Sequence, residues 1–243
     1  MQSRTTGTPV TPTSLNLASY MEHTLLKAEA TPSQIDALCD EAVEHGFVGV
    51  CVQPCYVHRA VQRLEIAQIG SDARFVPLVI SVTGFPLGGS RSDTKADEAR
   101  RALDDGAQEI DMVAPIGALL AGDYEAVRSD ILAVAQVVHG RHGILKVILE
   151  TAALSNERII LGCRLSAEGE ADFVKTSTGF HPAGGATVEH VRLLYRHAAP
   201  MRVKAAGGIR SADVAAAMIE AGAARIGASA SVAILDSWKG RHA

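Results

Sequence analysis

Residues 144–179 read ILKVILETAALSNERIILGCRLSAEGEADFVKTSTG, which is an apolar run, a helical stretch and a second apolar run. The runs at 144–149 and 172–175 are short and continuously apolar for most of their length, as expected for strands of a parallel sheet that is buried on both faces. Between them, 156–168 has helical spacing and Gly169 follows at its end. The stretch therefore predicts a strand, a helix and a second, parallel strand.

The same alternation runs along the chain. Further strand candidates lie at 20–25, 47–52, 75–82, 109–113, 201–204 and 224–226. Further helix candidates lie at 56–68, 93–105, 124–139, 187–197 and 211–221, and one more begins at Thr31-Pro32 and ends at Gly46. About eight such units are the number that closes a (β/α)8 barrel. We therefore predict an α/β fold, a (β/α)8 TIM barrel, with an open doubly wound sheet as the alternative.

Length and patterning predict a single domain. The chain has 243 residues, and α/β barrels reach about 250 residues as one unit. No linker-like stretch divides the alternating pattern. Residues 1–16 are rich in Thr, Ser and Pro and lack the apolar segment of a signal peptide, so we expect a mobile N-terminal tail followed by a barrel domain over 17–243.

Composition excludes several classes of function. The net charge is −4, which leaves no basic excess for a polyanion, so we expect no nucleic-acid partner. No apolar run approaches the ~18 residues of a membrane span, so we expect no membrane partner. Four cysteines do not make a disulfide scaffold and predict reduced thiols in the cytoplasm. Cys51 and Cys55 have the spacing of half a zinc motif, but no second half follows, so we expect no metal site.

Three charged residues occupy the positions where a barrel carries its chemistry, near the carboxyl ends of strands. Asp111 lies inside an apolar strand candidate, and Lys175 and Lys204 end two consecutive ones. Side-chain alternation can direct both lysines into the barrel mouth. Two ammonium groups held close together repel each other, and repulsion and desolvation both lower a lysine pKa. The pair is therefore a candidate Schiff-base lysine with a cationic partner, and Asp111 could move protons through a water molecule.

A purely structural interpretation stays open for each of these residues. A lysine at a strand end can simply meet solvent or a loop carbonyl group, and a buried aspartate can cap a neighbouring loop. Two such lysines on consecutive strands, each followed by a loop of small residues, favour the catalytic interpretation.

Loops of small residues follow the last strand candidates. Gly207 and Gly208 precede a helix candidate, and Gly227 and Ser229 follow the final strand candidate. In barrels, loops after the seventh and eighth strands commonly bind phosphate through backbone N–H groups. Gly179 adds a similar loop after Lys175. The pattern predicts a phosphorylated ligand, although a glycine pair can also serve only a tight turn.

Five segments carry a resemblance to a known family. They are HTLLK at 23–27, EIDMV at 109–113, KVILET at 146–151, FVKTSTG at 173–179 and VKAAGGIR at 203–210. In this order they resemble the motifs of deoxyribose-phosphate aldolases, over about residues 20–229 of this chain. The lysine loop and the VKAAGGIR segment together are specific to that family, whereas the Asp111 strand is less so alone.

The resemblance implies a metal-independent class I aldolase with a TIM-barrel fold that needs no cofactor. It implies reversible cleavage of 2-deoxy-D-ribose 5-phosphate to D-glyceraldehyde 3-phosphate and acetaldehyde. By the same resemblance, Lys175 is the Schiff-base lysine, Lys204 the partner that lowers its pKa, and Asp111 the proton donor and acceptor. The loops with Gly207-Gly208 and 227–229 are implied to bind the phosphate. We expect a small phosphorylated sugar or aldehyde as substrate and a homodimer as the assembly.

Four departures from the family pattern concern phosphate binding and proton transfer rather than the lysine chemistry. Glu22 stands where the family usually has Asp, and Phe180 stands where some members have Lys. Ala230 replaces the second of two serines, and the sequence ends WKGRHA without the terminal Tyr of some members.

Two further predictions concern the barrel interior. We expect Cys51 and Thr176 to line the mouth beside Lys175, with a small buried hydrophobic residue as the alternative for Cys51. Glu109 and Arg202 lie two residues before Asp111 and Lys204, so they should point inward one layer deeper. We expect a buried ionic layer there, with Lys146 as a possible member, and strand-end charges at the lower rim as the alternative.

Two other functions compete with the aldolase. A phosphosugar isomerase or synthase on the same barrel would reuse the phosphate loops but would not need two adjacent inward lysines. A sugar-phosphate sensor without enzymatic activity fits poorly with Asp111, Lys175 and Lys204 all present.

Overall fold

The computed structural model describes residues 15–69 and 75–242. Its eight strands are β1 (Met21–Leu25), β2 (Gly49–Val52), β3 (Leu78–Thr83), β4 (Glu109–Val113), β5 (Ile144–Ile148), β6 (Phe173–Lys175), β7 (Arg202–Ala206) and β8 (Arg225–Ala228). The helices are α1 (Pro32–His45), α2 (Val57–Ile69), α3 (Ser92–Asp104), α4 (Ile116–Ala121), α5 (Tyr124–His139), α6 (Asn156–Glu168), α7 (Val188–His197), α8 (Ala212–Glu220) and α9 (Ser231–His242).

All eight strands pair in parallel with their sequence neighbours, and β8 pairs with β1 to close the barrel. The predicted (β/α)8 TIM barrel is confirmed. In this arrangement every strand is covered by the barrel interior on one face and by helices on the other, which explains the continuous apolar runs. The register places Lys175 opposite Lys204 and Asp111 opposite Lys146.

The hydrophobic core lies between the strands and the surrounding helices. Val147, Val174 and Val203 are fully or almost fully buried members of this layer. The barrel interior differs, because charged side chains occupy much of it, among them Glu22, Glu109, Asp111, Lys146, Lys175 and Lys204. Buried charges cost stability unless they are paired, so this interior points to function.

Local signals set the helix ends as predicted for α1. Thr31 and Gln34 form a reciprocal capping box, and Pro32 takes the first helical position. Gly46 ends the helix in a left-handed conformation with φ of 67°, which glycine adopts without steric cost.

The predicted strand at 75–82 begins later, at Leu78, and the exposed Phe75 and Val76 precede it. Helices α4 and α9 were not predicted, because α4 is very short and α9 has no clear amphipathic pattern. Almost all of the expected tail at 1–16 lies outside the described residues, so its mobility and the domain boundary stay predictions. Within the described ranges, none of the helices combines the length and the apolar character that crossing a bilayer requires.

Candidate active site

The structure brings Lys175, Lys204 and Asp111 together inside the barrel. The Nζ atom of Lys175 lies 2.8 Å from Oδ2 of Asp111, and the Nζ atom of Lys204 lies 2.6 Å from the same oxygen. Lys204 and Asp111 are fully buried, whereas Lys175 retains 3% exposure and lines a cavity. Lys175 is therefore the member of the trio that a ligand can reach.

Strand alternation explains this convergence. On β6, Val174 packs into the outer core while Lys175 faces inward, and on β7 Val203 packs outward while Lys204 faces inward. Because β6 and β7 are neighbours in register, the two lysines stand side by side.

A second group of charges lies around and below this trio. Lys146 contacts Oδ1 of Asp111 at 3.0 Å and forms an ion pair with Glu109. Glu22 pairs with Lys204, and its Oε1 lies 3.7 Å from Lys146 Nζ and 3.6 Å from Nε of Arg225. The structure thus contains a buried ionic layer with Glu109 and Lys146 as members.

The predicted place of Arg202 in that layer is wrong. Arg202 is exposed at the start of β7, and its guanidinium group lies 4.4 Å from the ring centre of Phe173. The arginine that approaches the carboxylates is Arg225 on β8, with Nη2 4.0 Å from Glu109. Arg202 is at the first position of its strand, which leaves its head group at the lower rim, as the alternative interpretation expected.

Ionic contacts determine the protonation states of this network. Burial alone would raise the pKa of Asp111, but Lys146, Lys175 and Lys204 hold it well below the ordinary value. Burial alone would lower the pKa of Lys204, but Asp111 and Glu22 raise it above the ordinary value. The pKa of Lys146 is likewise raised, because Asp111 and Glu22 outweigh the effect of burial. At neutral pH the site therefore contains a carboxylate at Asp111 and ammonium groups at Lys146 and Lys204.

Above Lys175 lies a cavity of about 320 Å³ at the carboxyl end of the barrel. The predicted loop residues line it; they are Gly179, Gly207, Gly208, Gly227 and Ser229. Lys27 and Arg210, both exposed, line it as well. Neither was singled out from the sequence, although both are basic residues that closely follow a barrel strand, which was the available signal.

Two of the loops pack backbone against backbone. Gly179 and Gly207 have φ of 85° and 92°, and a Cβ atom added to Gly207 would lie 3.2 Å from Cα of Gly179. A Cβ atom added to Gly185 would overlap the carbonyl oxygen of Gly207. Side chains are thus excluded from the places where these loops meet beside the cavity.

Cys51 and Thr176 are not among the described residues that line the cavity, contrary to the expectation for both. Cys51 is fully buried beside Ile80 and Val82, and burial raises the pKa of its thiol to about 11. The Thr176 hydroxyl lies 3.0 Å from both the backbone nitrogen and the carbonyl oxygen of Ala206. Cys51 is therefore part of a small buried apolar cluster, and Thr176 joins the ends of β6 and β7.

Nearly the whole chain matches one protein family. The family described as DeoC/LacD family aldolase matches residues 17–240. The chain belongs to the DeoC/LacD aldolase family. This membership agrees with the resemblance that the lysine loop and the VKAAGGIR segment carry.

Named relatives of this DeoC/LacD aldolase cover nearly the whole chain. The deoxyribose-phosphate aldolase of Brevibacillus brevis is 49% identical over 226 residues, which are 93% of this chain and 97% of the relative. That of Thermococcus gammatolerans is 50% identical over 223 residues, which are 91% of this chain and 96% of the relative. The tetrameric deoxyribose phosphate aldolase of Aeropyrum pernix superposes with a TM-score of 0.83 at 33% identity, covering 94% of this chain and 92% of that structure.

Proposed function

We propose that this DeoC/LacD aldolase reversibly cleaves 2-deoxy-D-ribose 5-phosphate to D-glyceraldehyde 3-phosphate and acetaldehyde. The observation that carries the proposal is the contact of Lys175 and Lys204 with one oxygen of Asp111, at the base of a cavity lined by glycine loops. The relatives named deoxyribose-phosphate aldolase, at about half identity over most of the chain, support the same substrate.

Lys175 is the proposed nucleophile, because its amine reaches the cavity while Lys204 and Lys146 are fully buried. The neutral amine adds to the C1 aldehyde of the open-chain sugar, and loss of water gives a protonated imine. The 3-hydroxyl group then loses its proton, C3 becomes an aldehyde, and the electron pair of the C2–C3 bond moves to form an enamine on Lys175. Protonation at C2 and addition of water release acetaldehyde and restore the amine.

Lys204 and Asp111 are proposed to serve this cycle in different ways. Lys204 is the proposed cationic partner of Lys175, because its ammonium group lies beside that lysine and contacts the same oxygen of Asp111. Asp111 is a carboxylate that contacts Lys175 directly, so it can accept and return protons, with a water molecule as the carrier to the substrate carbon.

The phosphate is proposed to bind at the upper part of the cavity. Backbone N–H groups of the glycine loops and the charges of Lys27 and Arg210 provide donors for a dianion. Binding energy from this remote group positions the reacting carbon atoms over Lys175.

Borohydride trapping tests this function. With 2-deoxyribose 5-phosphate present, reduction should leave an irreversible adduct that peptide mapping assigns to Lys175, and Lys175→Ala should give none. A phosphosugar isomerase would turn over its sugar without a trapped lysine, and a sensor would bind the sugar without cleavage. Either outcome would refute the aldolase.

We also propose a homodimer in the cytoplasm. Enzymes with this barrel commonly self-associate, and the relative from Aeropyrum pernix is described as tetrameric. All four cysteines are free, which suits a reducing compartment. Sedimentation equilibrium of the purified chain distinguishes a dimer from a tetramer or a monomer.

A further inference from the structure

Glu150 is a buried carboxylate directly after β5 that the proposed mechanism does not use. Its side chain is only 3% exposed, and its backbone is left-handed, with φ of 55° and ψ of 57°. A residue other than glycine is uncommon in this region, and such strain at a site suggests a functional constraint. The hydrogen-bond partners of the carboxylate are both on Thr178, in the loop after β6.

Glu150 and Thr178 are joined by several hydrogen bonds. The Thr178 hydroxyl group donates to Oε2 of Glu150 at 2.5 Å, and the Thr178 N–H group donates to both carboxylate oxygens at 3.3 Å. The same hydroxyl oxygen accepts from the N–H group of Phe180 at 3.1 Å. Hydrogen bonds to an ionised acceptor are about twice as strong as neutral ones, so this carboxylate is a firm anchor for the turn 178–180.

The turn that Glu150 holds is the part of the loop that faces the cavity. Thr178, Gly179 and Phe180 all line it. The N–H group of Thr178 donates to Glu150, and that of Phe180 donates to the Thr178 hydroxyl group. Within residues 15–69 and 75–242, the N–H group of Gly179 donates no hydrogen bond. The turn therefore keeps one amide donor, at its apex, available for a ligand.

Lys175 is held by separate contacts. Its carbonyl oxygen accepts from the N–H group of Leu149, its register partner is Lys204, and its amino group contacts Asp111. None of these contacts involves the carboxylate of Glu150. Loss of that carboxylate should therefore disturb the turn more than the nucleophile.

We propose that Glu150 is a positioning residue for phosphate recognition, acting through Thr178 to fix the turn 178–180 so that the Gly179 amide meets the substrate phosphate. The inference rests on the proposed function, since it assigns a part of the same site. It separates phosphate recognition from Schiff-base chemistry: Glu150 serves the first and not the second.

The experiment compares 2-deoxyribose 5-phosphate with 2-deoxyribose, which has the same aldehyde and lacks the phosphate. For Glu150→Ala we expect KM for the phosphorylated sugar to rise roughly tenfold or more with kcat within about threefold, as for loss of a binding contact. For 2-deoxyribose, kcat/KM should change by less than about threefold. Inorganic phosphate, used as a competitive inhibitor of 2-deoxyribose 5-phosphate cleavage, should bind correspondingly more weakly.

Four further variants separate positioning from a general loss of structure. Glu150→Gln and Thr178→Ser retain oxygen atoms for the anchor and should restore much of the affinity, whereas Thr178→Val should resemble Glu150→Ala. Ser155→Ala removes the N-cap of α6 in the same β5–α6 connection without touching the turn, so it should leave phosphate selectivity unchanged.

Equal losses on both sugars in Glu150→Ala, or the same selectivity change in Ser155→Ala, would overturn the proposal. So would an unchanged affinity for phosphate in Glu150→Ala and Thr178→Val. Failure of the proposed function would look different, because the unmodified protein would then give no retro-aldol turnover with either sugar.

Discussion

Lys175 and Lys204 are register partners on β6 and β7, and their amino groups contact the same oxygen of Asp111. The ion pairs described around them join three carboxylates to three other basic groups; these are Glu22, Glu109 and Asp111 with Lys146, Lys204 and Arg225. Charge in this network balances without Lys175. Lys175 stands apart from these pairs, because it is the lysine of the group that lines the cavity while its amino group contacts Asp111.

Replacement of Lys204 by leucine should abolish most activity. The variant lacks the ammonium group that contacts the same Asp111 oxygen as Lys175, so we expect kcat at neutral pH to fall by roughly 100-fold or more. Steady-state rates and borohydride trapping at neutral pH check this. Near-normal turnover of the variant at neutral pH would show that Lys204 has no such role.

Lys95→Met is the control for that variant. Lys95 is also fully buried, with its Nζ 2.6 Å from Asp130 and 2.9 Å from the carbonyl oxygen of Val113, but it is not among the residues that line the cavity. Breaking this pair should cost about 3 kcal/mol of stability because Asp130 is left buried and unpaired. The folded enzyme should nevertheless retain its ordinary kcat and borohydride trapping.

Asp111 should make stability fall at acidic pH. Its pKa is lowered in the folded protein, so the stability that it contributes is present above the ordinary value of about 3.9 and is lost as the pH falls through the lowered pKa. Asp111→Asn should lose about 3 kcal/mol at neutral pH and show a flatter decline below about pH 4. Urea unfolding followed by circular dichroism at several pH values measures both. Parallel pH curves for the two proteins would contradict the role of Asp111.

The sequence predicts those site residues whose positions follow from the pattern of their own strand. Lys175, Lys204 and Asp111 could be placed because strand alternation fixes the direction of each side chain and functional residues of barrels lie near the carboxyl ends of strands. Glu22 and Arg225 could not be placed in the ionic layer, because they meet the others only once β8 closes onto β1. Such contacts depend on the closed register rather than on any spacing in the sequence.

Depth inside the barrel was also beyond sequence reasoning. Cys51 is on the strand face expected of it, but it is fully buried in a cluster with Leu26, Ile80 and Val82 and is not among the residues that line the cavity. The height of the cavity floor depends on how the loops fold over the strand ends. The contact of Glu150 with Thr178 could not be predicted for a related reason, since neither this contact nor the left-handed backbone of Glu150 has a signature in a single sequence.

Alkylation of the native protein should label one thiol quickly. Cys55 is exposed, whereas Cys39, Cys51 and Cys163 are buried, and burial raises the pKa of their thiols to about 12, 11 and 12. Because the thiolate is the reactive form, iodoacetamide at pH 7.5 should modify Cys55 and leave the others until the protein unfolds. Mass spectrometry of intact and digested protein counts and locates the labels. Labelling of Cys51 as fast as that of Cys55 would show that Cys51 is accessible from the cavity.

Arg210 and Lys27 should contribute unequally to phosphate affinity. Both line the cavity, but a guanidinium group can donate two parallel hydrogen bonds to a phosphate whereas an exposed ammonium acts mainly as a point charge. We expect KM for 2-deoxyribose 5-phosphate to rise about tenfold in Arg210→Ala and about threefold in Lys27→Ala, with little change for 2-deoxyribose.

Added salt should raise KM of the unmodified enzyme more than that of either variant, because screening weakens the contacts that the variants lack. Arg164→Ala, which removes an exposed arginine on α6 paired with Glu168, is the control and should change neither KM nor its salt dependence. Equal losses on both sugars in Arg210→Ala would place Arg210 in the chemistry or the folding of the site rather than in phosphate recognition.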